Sequence, residues 1–297
     1  MIDSRCRDQY GVRLTFPDRS VSLNPPESGR DQAGCDVVTR RELIINVDDV
    51  GIHEGAVEAA VETITDGVAA SGSVMTVCPG TLRALELLNA HPEVPVGVHL
   101  TLIADFPAVS WSPLTRGQSI QEHGRFMGID QMDRLLAQAD AGEVEAEFRA
   151  QIEVLLNAGL QPTHLDWHCL TDGGRDDIFD LTLALAEEYR TGLRAWNNRG
   201  RAALRERGLT AQDGPFVDSF SVPMDRKQDR FLAKVRALPE GLTEWAVHPA
   251  RPAATDSGSD MRSTDYEVLM SDSMRQTLRE QRITVLGYGD PRFQPAR

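Results

Sequence analysis

From Arg41 onward, short apolar runs alternate with longer segments of helical period, and this alternation constrains the fold more than any other feature of the chain. "ELIIN", "SGSVMTVC", "VPVGVHLTL", "THLDWH", "GLRAWN", "FVDSFSV", "LTEWAVH" and "ITVLGYG" read as strands. Between them lie helical patterns such as "HEGAVEAAVETITDG", where Val57, Val61 and Ile64 share a face. Another runs from Glu143 to Asn157, with Val144, Phe148, Ile152 and Leu155 on one side. Strands joined through helices return parallel to one another, and seven or eight such repeats favour an irregular α/β barrel over an open sheet. Residues 41–297 are therefore expected to form one barrel domain, a usual size for that architecture. Residues 1–40, which include "LNPPESGRDQAG", offer little to bury and are expected to be a flexible extension, with a short strand near Val12–Phe16 at most. Residues 103–140 have weak periodicity and read as one long functional loop.

Charge and composition remove several classes of function. The net charge of −14 opposes both nucleic acid and anionic membranes as partners. Four cysteines without CxxC spacing suggest neither a zinc ribbon nor a disulfide framework. No apolar run approaches the roughly 18 residues of a membrane span. "MIDSRCRDQYGVRLTF" also lacks the continuous apolar stretch of a signal peptide. The expectation is a soluble, cytoplasmic protein, with a homodimer left open.

Against that frame, "NVDDV" at Asn46–Val50 poses a problem, because it puts Asp48 and Asp49 at the end of a buried strand where repulsion and desolvation both cost free energy. Other titratable residues occupy matching places: His99 in "GVHLTL", His164, Asp166 and His168 in "HLDWH", and His248 in "AVHP". In a parallel barrel the C-terminal strand ends converge on one face, so residues distant in sequence can share a pocket. A single strand histidine is commonly a hydrogen-bonded core residue, and an aspartate pair can be a solvated strand end or a helix cap. His164, Asp166 and His168 are harder to explain that way. They alternate along one strand and so point to one face, where three titratable groups need partners. Imidazole with carboxylate suits a divalent metal such as Zn²⁺, whereas Mg²⁺ leans on oxygen ligands. His91 reads as a helix terminus, His123 lies in the long loop, His53 borders the aspartate pair, and Cys169 reads as packing.

The residues so gathered resemble the YdjC-like carbohydrate deacetylases, also called the ChbG/HpnK family. The family's "NADDFG" is matched by "NVDDVG" at Asn46–Gly51, and its "G-x-H-x-x-L" by "GVHLTL". Its "H-x-D-x-H" is matched by "HLDWH", and its late "HPG" by "HPA" from His248. The four motifs occur in order across about Leu43 to Asp290. The resemblance implies a hydrolase that removes the acetyl group from an N-acetylated sugar with one divalent ion, Mg²⁺ or Zn²⁺. By position it makes Asp49, His99 and His168 the metal ligands and Asp48 the general base. His248, at the end of a late strand, is the candidate acid, and Asp166 the group that orients a histidine.

Trp111 and His164 are the candidate substrate contacts; Trp111, with Phe106 and Phe126, lies in the segment that leaves the catalytic face. The chain departs from the family pattern in three ways: Cys169 and Leu170 stand where many members have further histidines, Trp167 replaces a small residue, and Ala250 replaces glycine. Two other readings stay open. A metal-dependent phosphoesterase would need Arg or Lys for phosphate, and none lies beside the four motifs. A carbohydrate-binding protein without catalysis would not need the intact Asp48–Asp49 pair.

Overall fold

The computed structural model describes residues 40–105, 111–214, 216–253, 256 and 258–295. Nearly all of the N-terminal extension, the expected strand near Val12 and the side chain of Phe106 lie outside these residues. The main sheet contains β1 (Arg41–Val50), β2 (Ser71–Val74) and β3 (Val96–Leu100). A small second sheet follows, with β4 (Ile103–Ala104), β5 (Gln121–Glu122) and β6 (Arg125–Gly128). The main sheet then resumes with β7 (His164–Trp167), β8 (Gly192–Leu193), β9 (Val217–Asp218), β10 (Gly241–Val247) and β11 (Ile283–Leu286). Helices fill the crossovers: α1 (Glu54–Thr65), α2 (Thr81–Ala90), α3 (Met132–Gln138), α4 (Ala141–Asn157) and α5 (Asp176–Tyr189). The remainder are α6 (Asn198–Glu206), α7 (Lys227–Arg236), α8 (Ser259–Met270) and α9 (Asp272–Glu280).

The strand order is β8-β7-β3-β2-β1-β10-β9, with β11 also on β1, and every pairing is parallel, as the alternation of runs requires. β1 is the axis of the sheet. Its first half pairs with β11, its second half with β2, and its other edge with β10. Leu43, Ile44, Ile45 and Val47 are all buried there, which is why the run is apolar without alternation. No ladder joins β8 to β9 among the described residues, so the barrel stays open at that seam. Its curl is nevertheless evident, because Arg194, just past β8, reaches Glu244 on β10 across the interior at 2.7 Å.

Three local expectations are corrected. Residues 103–140 do not form one long loop: they hold the three-stranded sheet and α3. They, and Thr101 just before them, are fastened to α4 by two fully buried polar residues. Glu147 accepts from Leu114 N, Thr115 N and Thr115 Oγ1 at 3.0, 2.9 and 2.7 Å, and Gln151 pairs with both backbone groups of Thr101. Strands of two to four residues are too short to show a period, which hid them. The stretch "DYEVLMSDSMRQTLREQ" has one continuous helical period in the sequence, yet it breaks at Ser271, whose hydroxyl accepts from Met274 N and starts a second helix. Helix α6 was not foreseen, because its arginine-rich sequence has few apolar positions. Among the described residues, no helix is long and apolar enough to cross a membrane.

Candidate metal and catalytic site

On a regular strand, neighbours such as Asp48 and Asp49 point to opposite faces. Here the ladder with β2 shifts register between Val47 and Val50, and Asp49 takes a positive φ of 61°. This bulge turns both carboxylates into the same site, at the cost of left-handed backbone that aspartate tolerates better than most residues. The glycine that ends the motif continues the turn: Gly51 has φ 104°, and a Cβ there would sit 3.0 Å from the Met75 carbonyl oxygen. Gly97 in "GVHLTL" serves another need, since a Cβ on it would meet the His164 ring at 2.4 Å.

Asp49, His99 and His168 come together as their strand ends predict. Asp49 Oδ1 lies 3.2 Å from His99 Nε2 and 3.1 Å from His168 Nδ1, and all three side chains are buried. Parallel register sets His99 beside Asp166, whose Oδ1 meets His99 Nδ1 at 2.8 Å. Asp166 thereby fixes the ring so that Nε2 faces Asp49. Burial opposes a proton on His99, but Asp166, Asp49 and Asp48 outweigh it and raise its pKa to about 9. Burial likewise opposes charge on Asp49, yet Arg262 and His168 hold its carboxyl well below the usual range.

Two groups of side chains have ligand atoms close enough to hold a metal ion: Asp49 with His99 and His168, and Asp48 with His99 and Asp166. The second is a poor host, because Arg194 already lies against both of its carboxylates at 2.6 and 3.0 Å. The first presents one carboxylate oxygen and two imidazoles without a permanent cation between them. That donor set fits a divalent transition metal, which would replace the imidazole protons.

Asp48 belongs to a different network. Arg194, fully buried, donates from Nη1 and Nη2 to the two Asp48 oxygens at 2.6 and 2.7 Å. Its Nε donates to Glu244, which also accepts from Tyr288 Oη at 2.8 Å. Asp166 completes the set, accepting from Ser73 Oγ at 2.8 Å while linking Arg194 to His99. A second buried arginine, Arg262, donates to the far Asp49 oxygen at 2.7 Å and lies 3.2 Å from Asp256. Asp256 in turn is 3.3 Å from His53. His53 is the N-cap of α1, accepting from Ala56 N, so neither aspartate of the pair serves as that cap. These two arginines, and Arg251 directly after "HPA", correct the expectation that no cation lies beside the motifs. Each is already matched to carboxylates, Arg251 to Glu62 at 2.7 Å, so none favours a phosphate substrate.

His248 follows β10, whose Val247 is in register with Val47, and so it stands beside Asp48 at the neighbouring strand end. Its Nδ1 is 2.8 Å from Ser219 Oγ and 4.0 Å from Asp218, and the edge of Phe220 packs on the ring with centroids 4.5 Å apart. Its backbone N–H donates to Asp265, which pairs with the buried Lys227 at 2.7 Å.

Both expected substrate contacts are placed elsewhere. His164 starts β7, about 13 Å along the strand from His168. It is fully buried and stacked on Tyr288 with centroids 3.9 Å apart, and burial lowers its pKa, so it is a neutral core residue. Trp111 is 1% exposed and meets His168 edge-on at 5.5 Å, which makes it a buttress for that ring rather than an open platform. Phe126 is also in the core. Cys169, expected to pack, is instead exposed, with Sγ 3.3 Å from His168 Nε2 and a φ of 57°.

Comparison with known proteins agrees with the motifs. A family model described as YdjC-like protein matches residues 42–280. A carbohydrate deacetylase of Brevibacillus brevis is 30% identical over 256 residues, which is 84% of this chain and 99% of that protein. A carbohydrate deacetylase of Geobacillus stearothermophilus is 28% identical over 253 residues, covering 84% and 97%. In fold, the chain is similar to the crystal structure of a candidate cellobiose-phosphate cleavage protein from Enterococcus faecalis V583. The TM-score is 0.73 at 24% identity, covering 84% of this chain and 98% of that one.

Proposed function

The chain belongs to the YdjC-like family, and from that premise we propose that it hydrolyses the acetamide of an N-acetylated sugar with the help of one divalent ion. The observation that carries this reading is the contrast within one bulge: Asp48 is held by a permanent cation, while Asp49 shares its free oxygen with two imidazoles. Asp49, His99 and His168 would hold the ion, which when bound would polarise the acetyl carbonyl and acidify water.

The chain's own residues supply the rest. Asp48, kept oriented by Arg194, takes a proton from the water as that water attacks the carbonyl carbon. Asp166 keeps His99 in the tautomer that faces Asp49. With Nδ1 engaged by Ser219, His248 presents Nε2 and gives its proton to the amine nitrogen as the C–N bond breaks. The products are acetate and the free amine.

Acetate release from a panel of N-acetylated sugars, with and without chelator, tests the reading. Turnover that a chelator abolishes and added Zn²⁺ or Mg²⁺ restores is expected. Turnover indifferent to chelator would refute the metal dependence, and no acetate from any sugar would refute the activity.

A further inference from the structure

We propose that Trp196 and Phe216 form a stacking subsite for a saccharide ring beside the base-holding Arg194, which rests on the reading that the substrate is a sugar. The chain has four tryptophans. Trp111, Trp167 and Trp245 are sealed in the core at 1%, 1% and 2% exposure, whereas Trp196 is partly exposed. It stacks on Phe216, also partly exposed, with ring centroids 3.9 Å apart and planes 21° from parallel. Two partly exposed aromatics side by side form an apolar surface, with the outer face of Trp196 as the platform.

Position points to the substrate. Trp196 is two residues beyond Arg194 in the segment leaving β8, and Phe216 directly precedes β9 with the Arg194 guanidinium 5.2 Å above its ring. The pair therefore bridges the open seam of the barrel, next to the residue that fixes Asp48. The platform is also ordered in advance. Asp172, on the loop after β7, accepts from Trp196 N at 2.6 Å and Asn197 N at 3.2 Å, and Asn197 caps α6 through Gly200 N. A face held this way loses little freedom on binding. The Trp196 Nε1 donor is itself buried and has no partner among the described residues, so the platform offers its apolar face rather than this donor. A pyranose ring fits such a face through its apolar C–H side.

The competing role is structural, with the pair merely closing the seam. Tryptophan emission separates the two, because only Trp196 is open to a ligand among the four. N-acetylglucosamine and its β-1,4-linked dimer are titrated into the full chain. A saturable emission change that disappears in Trp196→Phe is expected. Trp196→Ala should raise KM about tenfold, with the loss falling on KM rather than kcat, and Trp196→Phe should recover most of it. An emission change that survives in Trp196→Phe, or no change with either sugar, overturns the proposal. So does a Trp196→Ala chain with a lowered melting temperature and an unaltered KM. Should the wild-type chain release no acetate, the deacetylase reading fails, while the emission titration still decides the stacking.

Discussion

Asp48 accepts from both terminal nitrogens of Arg194, at 2.6 and 2.7 Å, whereas Asp49, one residue on, gives one oxygen to Arg262 and turns the other to His99 and His168. Arginine never loses its proton in a protein, so Asp48 keeps its cation under all ordinary conditions. The two imidazoles at Asp49 hold protons that can be exchanged for a metal. One bulge thus separates a permanent electrostatic clamp from a replaceable one.

The largest expected effect breaks the pair apart. Asp48→Asn should retain bound metal yet lose about 10²- to 10⁴-fold in kcat, the usual value of a general base. Asp49→Asn should lose the metal along with the activity. Metal content and turnover measured on both variants decide the matter, and equal behaviour in the two would end the division of labour.

The arginines should differ in stability as the aspartates do in catalysis. Arg194→Met leaves Asp48, Asp166 and Glu244 without their shared cation, and an unpaired buried charge costs about 3–5 kcal/mol. Arg262→Met leaves Asp49 its two histidines and Asp256 its contact with His53. Its melting temperature should fall less, and added Zn²⁺ should raise it at least as much as in wild type, because a competing cation has gone. Equal losses in both variants, neither relieved by metal, would erase the contrast between the clamps.

These two networks were not equally legible in the sequence. Asp49, His99, Asp166 and His168 were within reach because strand ends and alternation gather such residues, although only the family resemblance separated the triad from His164 and His248. Their arginine partners lie 146 and 213 residues from the aspartates they hold, and no local period records such pairing. Arg194 did leave one clue: it is a charge between Leu193 and Ala195 in a run read as a buried strand, and such a charge requires a partner. Arg262 left none, since an arginine in helix α8 resembles any surface residue of a polar helix face. The substrate side was misread for a related reason. Aromatic side chains in residues 103–140 suggested an open surface, but Glu147 and Gln151 bind that segment to α4 and put Trp111 inside.

The smallest expected effect follows from the exchangeable clamp alone. His99 has a folded pKa of about 9, above the roughly 6.5 of an unfolded histidine. A group raised in this way contributes its full stability below pH 6.5 and loses it as pH rises through 9. The metal-free protein should therefore weaken across that window, by up to about 3 kcal/mol from this one residue. With metal bound there is no such proton to lose, and affinity itself improves with pH because metal and proton no longer compete. Melting curves from pH 6.5 to 9.5, recorded in chelator and in Zn²⁺, should diverge progressively toward high pH. In His99→Gln the chelator curve should flatten. Parallel curves in wild type would mean that His99 carries no exchangeable proton, and the distinction between the two aspartates would then rest on geometry alone.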